Sequence, residues 1–121
     1  MNEATLTGNV GKDPEIRTLA DGAKVANFSL ATTERWTTKD GEKKEATEWH
    51  RITVWGDSLV TNVIEKYVRK GSKLLVRGKI RTREWEDQAG VKRYATEIVV
   101  QGGGMIELLG GNEGRRNDPP A

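Results

Sequence analysis

The sequence predicts an all-β domain: a five-stranded Greek-key barrel with one helix between its third and fourth strands. Three observations carry this. Apolar residues recur with period two over five stretches of the 121-residue chain. Turn pairs such as Asp21-Gly22 and Asp40-Gly41 fall between stretches. Only one stretch, Ser58 to Lys70, changes to helical spacing. A chain of this length holds one domain with one core.

The first strand is expected at residues 4–10, with Gly8 and Gly11 marking a bend or bulge. Asp13-Pro14 is a turn signal, and Glu15 to Leu19 resumes an extended run. After the 20–23 turn, residues 24–33 form the second strand, with Ala26, Phe28 and Leu30 on one face. Residues 34–46 are polar and charged, which predicts a long, mobile hairpin loop with Trp36 at its root. The third strand, Thr47 to Trp55, puts His50, Ile52 and Val54 on one face and Trp49, Arg51, Thr53 and Trp55 on the other. Leu59, Val60, Val63, Ile64, Tyr67 and Val68 then follow helical spacing. Asp57 or Ser58 is placed to cap that helix and Gly71 to end it.

The fourth strand, 73–85, directs Leu74, Val76, Gly78 and Ile80 one way and Arg77, Lys79, Arg81, Arg83 and Trp85 the other. A hairpin at 86–90 leads into the fifth strand, 91–101. Gly102-Gly103-Gly104 bends it, and Met105 to Leu109 is expected as a short continuation. This divides the chain into a domain at 1–110 and a tail at 111–121, where nothing apolar and periodic remains and disorder is expected. Five strands with a helix after the third is the order of an OB-fold, whose exposed face and loops bind oligonucleotides. An SH3-like barrel matches the strand count but not the helix.

Composition narrows the function. There is no cysteine and a single histidine, His50, so no Cys- or His-based metal centre is expected. No apolar run approaches a membrane span and no signal peptide opens the chain, which fits a cytoplasmic protein. Net charge is only +2, but residues 69–93 carry nine basic and three acidic side chains. A basic stripe on a near-neutral chain is the footprint of a polyanion binder.

Two indoles flanking Arg51 on the outer face of one strand ask for a partner. Bases stacking on the rings while phosphates meet the cation would satisfy them. A second core, or a subunit interface filled by the same tryptophans, would satisfy them equally well. The cations of the fourth strand, ending in Trp85, repeat the pattern.

Five motifs, in order, resemble the bacterial single-stranded DNA-binding protein family. They are Thr7 to Arg17, Val25 to Thr32, Thr47 to Gly56, Tyr67 to Ser72 and Gly78 to Trp85. The resemblance covers residues 4 to about 110. It implies an OB-fold homotetramer that wraps single-stranded DNA in replication, recombination and repair. It implies no catalysis, no cofactor, and a cytoplasmic, nucleoid-associated protein. The base-stacking positions would be Trp36, Trp49, Trp55 and Trp85. The phosphate contacts would be Arg17, Lys39, Arg51, Arg69, Lys70, Arg81 and Arg83, and His50 would stand at a subunit contact.

Two departures temper the resemblance. Asp57 and Glu84 occupy positions where some relatives carry Lys. The family's acidic tip with a terminal aromatic has no counterpart in Arg115 to Ala121, so tail-borne replication and repair partners are not expected from this stretch. Three other functions compete. The barrel could serve protein contacts through its tryptophan face. It could bind RNA, or it could be a nuclease. A nuclease needs clustered carboxylates for metal, whereas the acids here lie mainly in loops beside lysines, as in Asp40-Gly41-Glu42-Lys43.

Overall fold

The β-branched alternation becomes a closed barrel. A computed structural model describes residues 1–110. Strand β1 is Ala4–Val10, β2 Glu15–Thr18, β3 Lys24–Thr37 and β4 Lys43–Trp55. After the helix come β5 (Lys73–Glu86), β6 (Lys92–Val100) and β7 (Met105–Leu109). The order β1-β3-β4-β6-β5 closes because β1 also pairs with β5. The β4–β6 pairing is parallel, and the other pairings are antiparallel.

Even-numbered positions of the strands fill the core: Ala26, Phe28, Leu30, Ile52, Val54, Leu74, Val76, Ile98 and Val100. Val60 and Ile64 of the helical segment, with Val68 just beyond it, plug the barrel. Gly78 is required where strands crowd, because a Cβ there would strike the Val99 carbonyl oxygen. The triglycine stretch breaks the ladder, but β7 runs on along β5 from where β6 left it, pairing Arg77 with Met105 after Lys79 with Val99. It is the continuation that the sequence suggested.

Three expectations are corrected. First, residues 34–46 are not a long loop. Strands β3 and β4 stay in uninterrupted register out to Thr37 and Lys43, leaving 38–42 as the turn. Both faces of this arm are wet, so no apolar alternation announces it. Cross-strand pairs hold it instead: Arg35 with Glu45 at 3.3 Å, and the Thr33 and Thr47 hydroxyls at 3.3 Å.

Second, the helix is short and mostly not α. A single α-helical turn, α1 (Asp57–Leu59), runs into a π-helical stretch at Val60–Glu65. It gains no side-chain cap, because Asp57 Oδ1 instead accepts the Lys24 backbone N–H at 3.0 Å. It stops before Arg69 because the next amides are taken: Lys70 N–H donates to Asp13 Oδ1 and Gly71 N–H to the Val10 carbonyl, both at 2.7 Å.

Third, Ile80 is not a core residue but is 46% exposed, since β5 leaves the barrel there and pairs only with β6 in a second projecting arm. The expected tail at 111–121 lies outside the described residues.

Candidate nucleic-acid interface

Directly paired residues in a sheet share a face, so the register defines the outer surface. One row runs Arg17, Val25, Trp55 across β2, β3 and β4. The next runs Glu15, Asn27, Thr53, Val99, Lys79 across five strands. Ser29 faces Arg51, and Ala31 faces Trp49. On the second arm Arg81 faces Glu97, Arg83 faces Ala95, and Trp85 faces Arg93. The barrel thus brings Trp49, Trp55 and Trp85 onto one face with Arg17, Arg51, Arg81 and Arg83. These indoles remain 63%, 37% and 50% exposed.

Trp36 does not join them. The β3–β4 register has no bulge, so Trp36, paired with Lys44, follows the parity of Phe28 and Leu30 and lies on the reverse side of the arm. It too is exposed. Lys39 sits in the turn at the arm's tip. Arg69 and Lys70 stand at the end of the barrel that the helix closes, beside Asp13, rather than in the rows. His50 lies on the core side at the barrel rim, half-buried, with Nε2 2.9 Å from the Thr32 hydroxyl.

The cations of β5 recur at every second residue, about 6.8 Å apart along a strand. Among the described residues, Arg17, Lys39, Arg51, Arg69, Lys70 and Arg81 form no ion pair, so their charge is available to an external anion. Arg83 is the exception, with Nε 3.6 Å from Glu97. The Trp49 ring lies over Gly11, where an added Cβ would come within 2.5 Å of it. No three His, Asp or Glu side chains among the described residues gather as a metal site would require.

Sequence reasoning missed the polar centre of this face. Thr53 and Glu97, both at outward positions, are buried. The available signal was Val25 and Val99, apolar residues at outward positions of neighbouring strands.

Comparison with known proteins gives the family. The sequence model of the single-strand binding protein family matches residues 1–108. The chain belongs to that family. A single-stranded DNA-binding protein of Rickettsia felis is 51% identical over 102 residues, covering 84% of this chain and 66% of its own length. One of Rickettsia typhi is 46% identical over 118 residues, covering 97% of this chain and 77% of its own. Among solved structures, the Plasmodium falciparum SSB complex with ssDNA superposes with a TM-score of 0.82 at 40% identity, covering 90% of this chain and 95% of that one. A family member therefore carries this barrel in complex with ssDNA. No helix among the described residues is long and apolar enough to cross a membrane.

Proposed function

We propose that this chain binds single-stranded DNA without regard to sequence, as a homotetramer serving replication, recombination and repair. One observation carries the reading: exposed indoles and cations free of ion pairs interleave on one continuous outer face. Bases stack on Trp49, Trp55 and Trp85, a contact every base can make because every base has a π-face. Arg17, Arg51, Arg81 and Arg83 neutralise the backbone, with Arg69, Lys70 and Lys39 at its margins. Trp36 meets bases only where the strand crosses onto the reverse side of the β3–β4 arm. His50, at the rim, contacts a neighbouring subunit. The activity is binding without catalysis, in a cytoplasmic, nucleoid-associated protein.

A fluorescence titration with oligo-dT against duplex DNA of equal length tests this. Tight, salt-sensitive binding of the single strand with weak duplex binding is expected. Equal or absent binding would turn the tryptophan face into a protein-contact surface. An oligo-rU arm measures RNA affinity. Labelled oligonucleotide recovered intact after incubation with magnesium would set a nuclease aside.

A further inference from the structure

Glu97 is a carboxylate 8% exposed at the centre of a cationic face. Its Oε1 lies 2.8 Å from the Thr53 hydroxyl, which also lies 3.1 Å from Asn27 Oδ1. The hydroxyl has one proton, and the shorter contact to the charged acceptor takes it. Its Oε2 faces Arg83 Nε at 3.6 Å, an ion pair too long to be a hydrogen bond. Arg81, directly across the β5–β6 register, makes no ion pair with it. Two adjacent cations of one strand therefore differ: Arg81 is free and Arg83 is held.

We propose that Glu97 is a positioning residue that competes with the DNA backbone for Arg83. The inference rests on the single-strand binding proposed above. A phosphate that engages Arg83 meets a guanidinium whose charge is already partly offset by a carboxylate anchored from behind by Thr53. Glu97 cannot swing away as a surface glutamate would, because the sheet buries it. Its negative charge stays beneath the incoming phosphates whether or not Arg83 leaves. The competition keeps Arg83 directed at the centre of the face and weakens the electrostatic share of binding there. Stacking on the indoles, which releases no counterion, is left untouched.

Glu97→Gln tests this, since the amide oxygen still accepts from Thr53. The variant is expected to bind oligo-dT more tightly than the parent at low salt. Its slope of log K against log salt should steepen by about 0.7 per subunit contact, so the gain shrinks roughly 2.6-fold for each fourfold rise in salt. Arg83→Ala should weaken binding more in the Glu97→Gln background than in the parent. Equal losses in both backgrounds, or an unchanged slope, would overturn the proposal. A merely structural Glu97 gives that result, because lost packing does not depend on Arg83. Should Glu97→Gln fail to fold, the parent background still decides: Arg83→Ala must flatten the slope less than Arg81→Ala, and equal flattening sinks the idea. A parent that does not bind oligo-dT at all would fail the functional reading itself, a result plainly different from a binding parent with indifferent variants.

Discussion

Stacking and phosphate contact answer differently to salt, which gives Trp85 and Arg81 separable signatures. Trp85→Ala should weaken oligo-dT binding by roughly 1–3 kcal/mol with the salt slope nearly unchanged. Arg81→Ala should cost more at low salt than at high and flatten the slope by about 0.7 per contact. Both side chains lie on the outer face, opposite Leu74 and Val76, so circular dichroism should remain that of the parent. Gly11→Ala offers a third signature. The added methyl displaces the Trp49 ring, which is free to move into solvent, so thermal stability should change by under ~0.5 kcal/mol while tryptophan emission shifts. A large fall in melting temperature would show that the ring is packed rather than poised. At this scale, alternation made Trp49, Arg51, Trp55, Arg81 and Trp85 legible. It could not reveal Glu97, because an outward polar residue is ordinarily solvated. Burial depends on neighbours such as Thr53, which belongs to a strand far off in sequence. The reverse placement of Trp36 was hidden for another reason. A residue assigned to a loop has no parity, and only continuous pairing to Thr37 gives it one.

Elements with an apolar face were readable, and the polar β3–β4 arm was not. Strands β1 and β5 fell where their Val, Ile and Leu spacing put them, and β4 did so from Thr47 to Trp55 but begins earlier, at Lys43. Charged cross-strand pairs leave the β3–β4 arm no hydrophobic period, so its sequence reads as loop. The helix was found by its apolar stripe. Its π-winding was not, and its early end depends on bonds to β1 and Asp13 that lie outside the segment. The β5–β6 turn makes a prediction of its own. Asp87 accepts backbone N–H groups from Val91 and Ala89 and pairs with Arg93 at 3.0 Å. These hold its carboxyl below the usual range, the Val91 amide first and the Arg93 guanidinium next. A depressed folded pKa means the turn is supported above the ordinary carboxylate value of about 3.9 and loses that support as pH falls below it. The protection factor of the Val91 amide, its exchange relative to an unstructured amide at the same pH, should fall in acid, and Asp87→Asn should abolish that pH dependence. A protection factor that stays flat down to the global acid transition would contradict this.

Across the whole molecule, the barrel leaves one strand incompletely used. Strand β1 meets β5 along Ala4–Asn9, yet it meets β3 only at Asn9 and Val10. The other edge of residues 4–8 has no partner within the described chain, an edge that a second copy can extend. Isologous pairing of this edge gives a two-fold dimer, and a second isologous contact between two such dimers gives the dihedral form of the homotetramer proposed above. Light scattering should then give about four times the 13.4 kDa chain mass at micromolar concentration. A stable particle of the chain mass alone would count against it.

The pairing of Ala4 with Gly78 also sets an order of events in time. The ribosome releases β1 first, but its long partner is finished only after β3, β4 and the helix. At 5–20 residues per second that wait is roughly four to fifteen seconds. During it, the β3–β4 hairpin can form on its own, while β1 has only Asn9 and Val10 to share with β3. Closure through such distant pairings belongs to the slow end of folding, milliseconds to seconds after the last strand arrives. Pulse-labelled hydrogen exchange during refolding should therefore protect the β3–β4 amides early and those of Ala4–Gly8 together with β5.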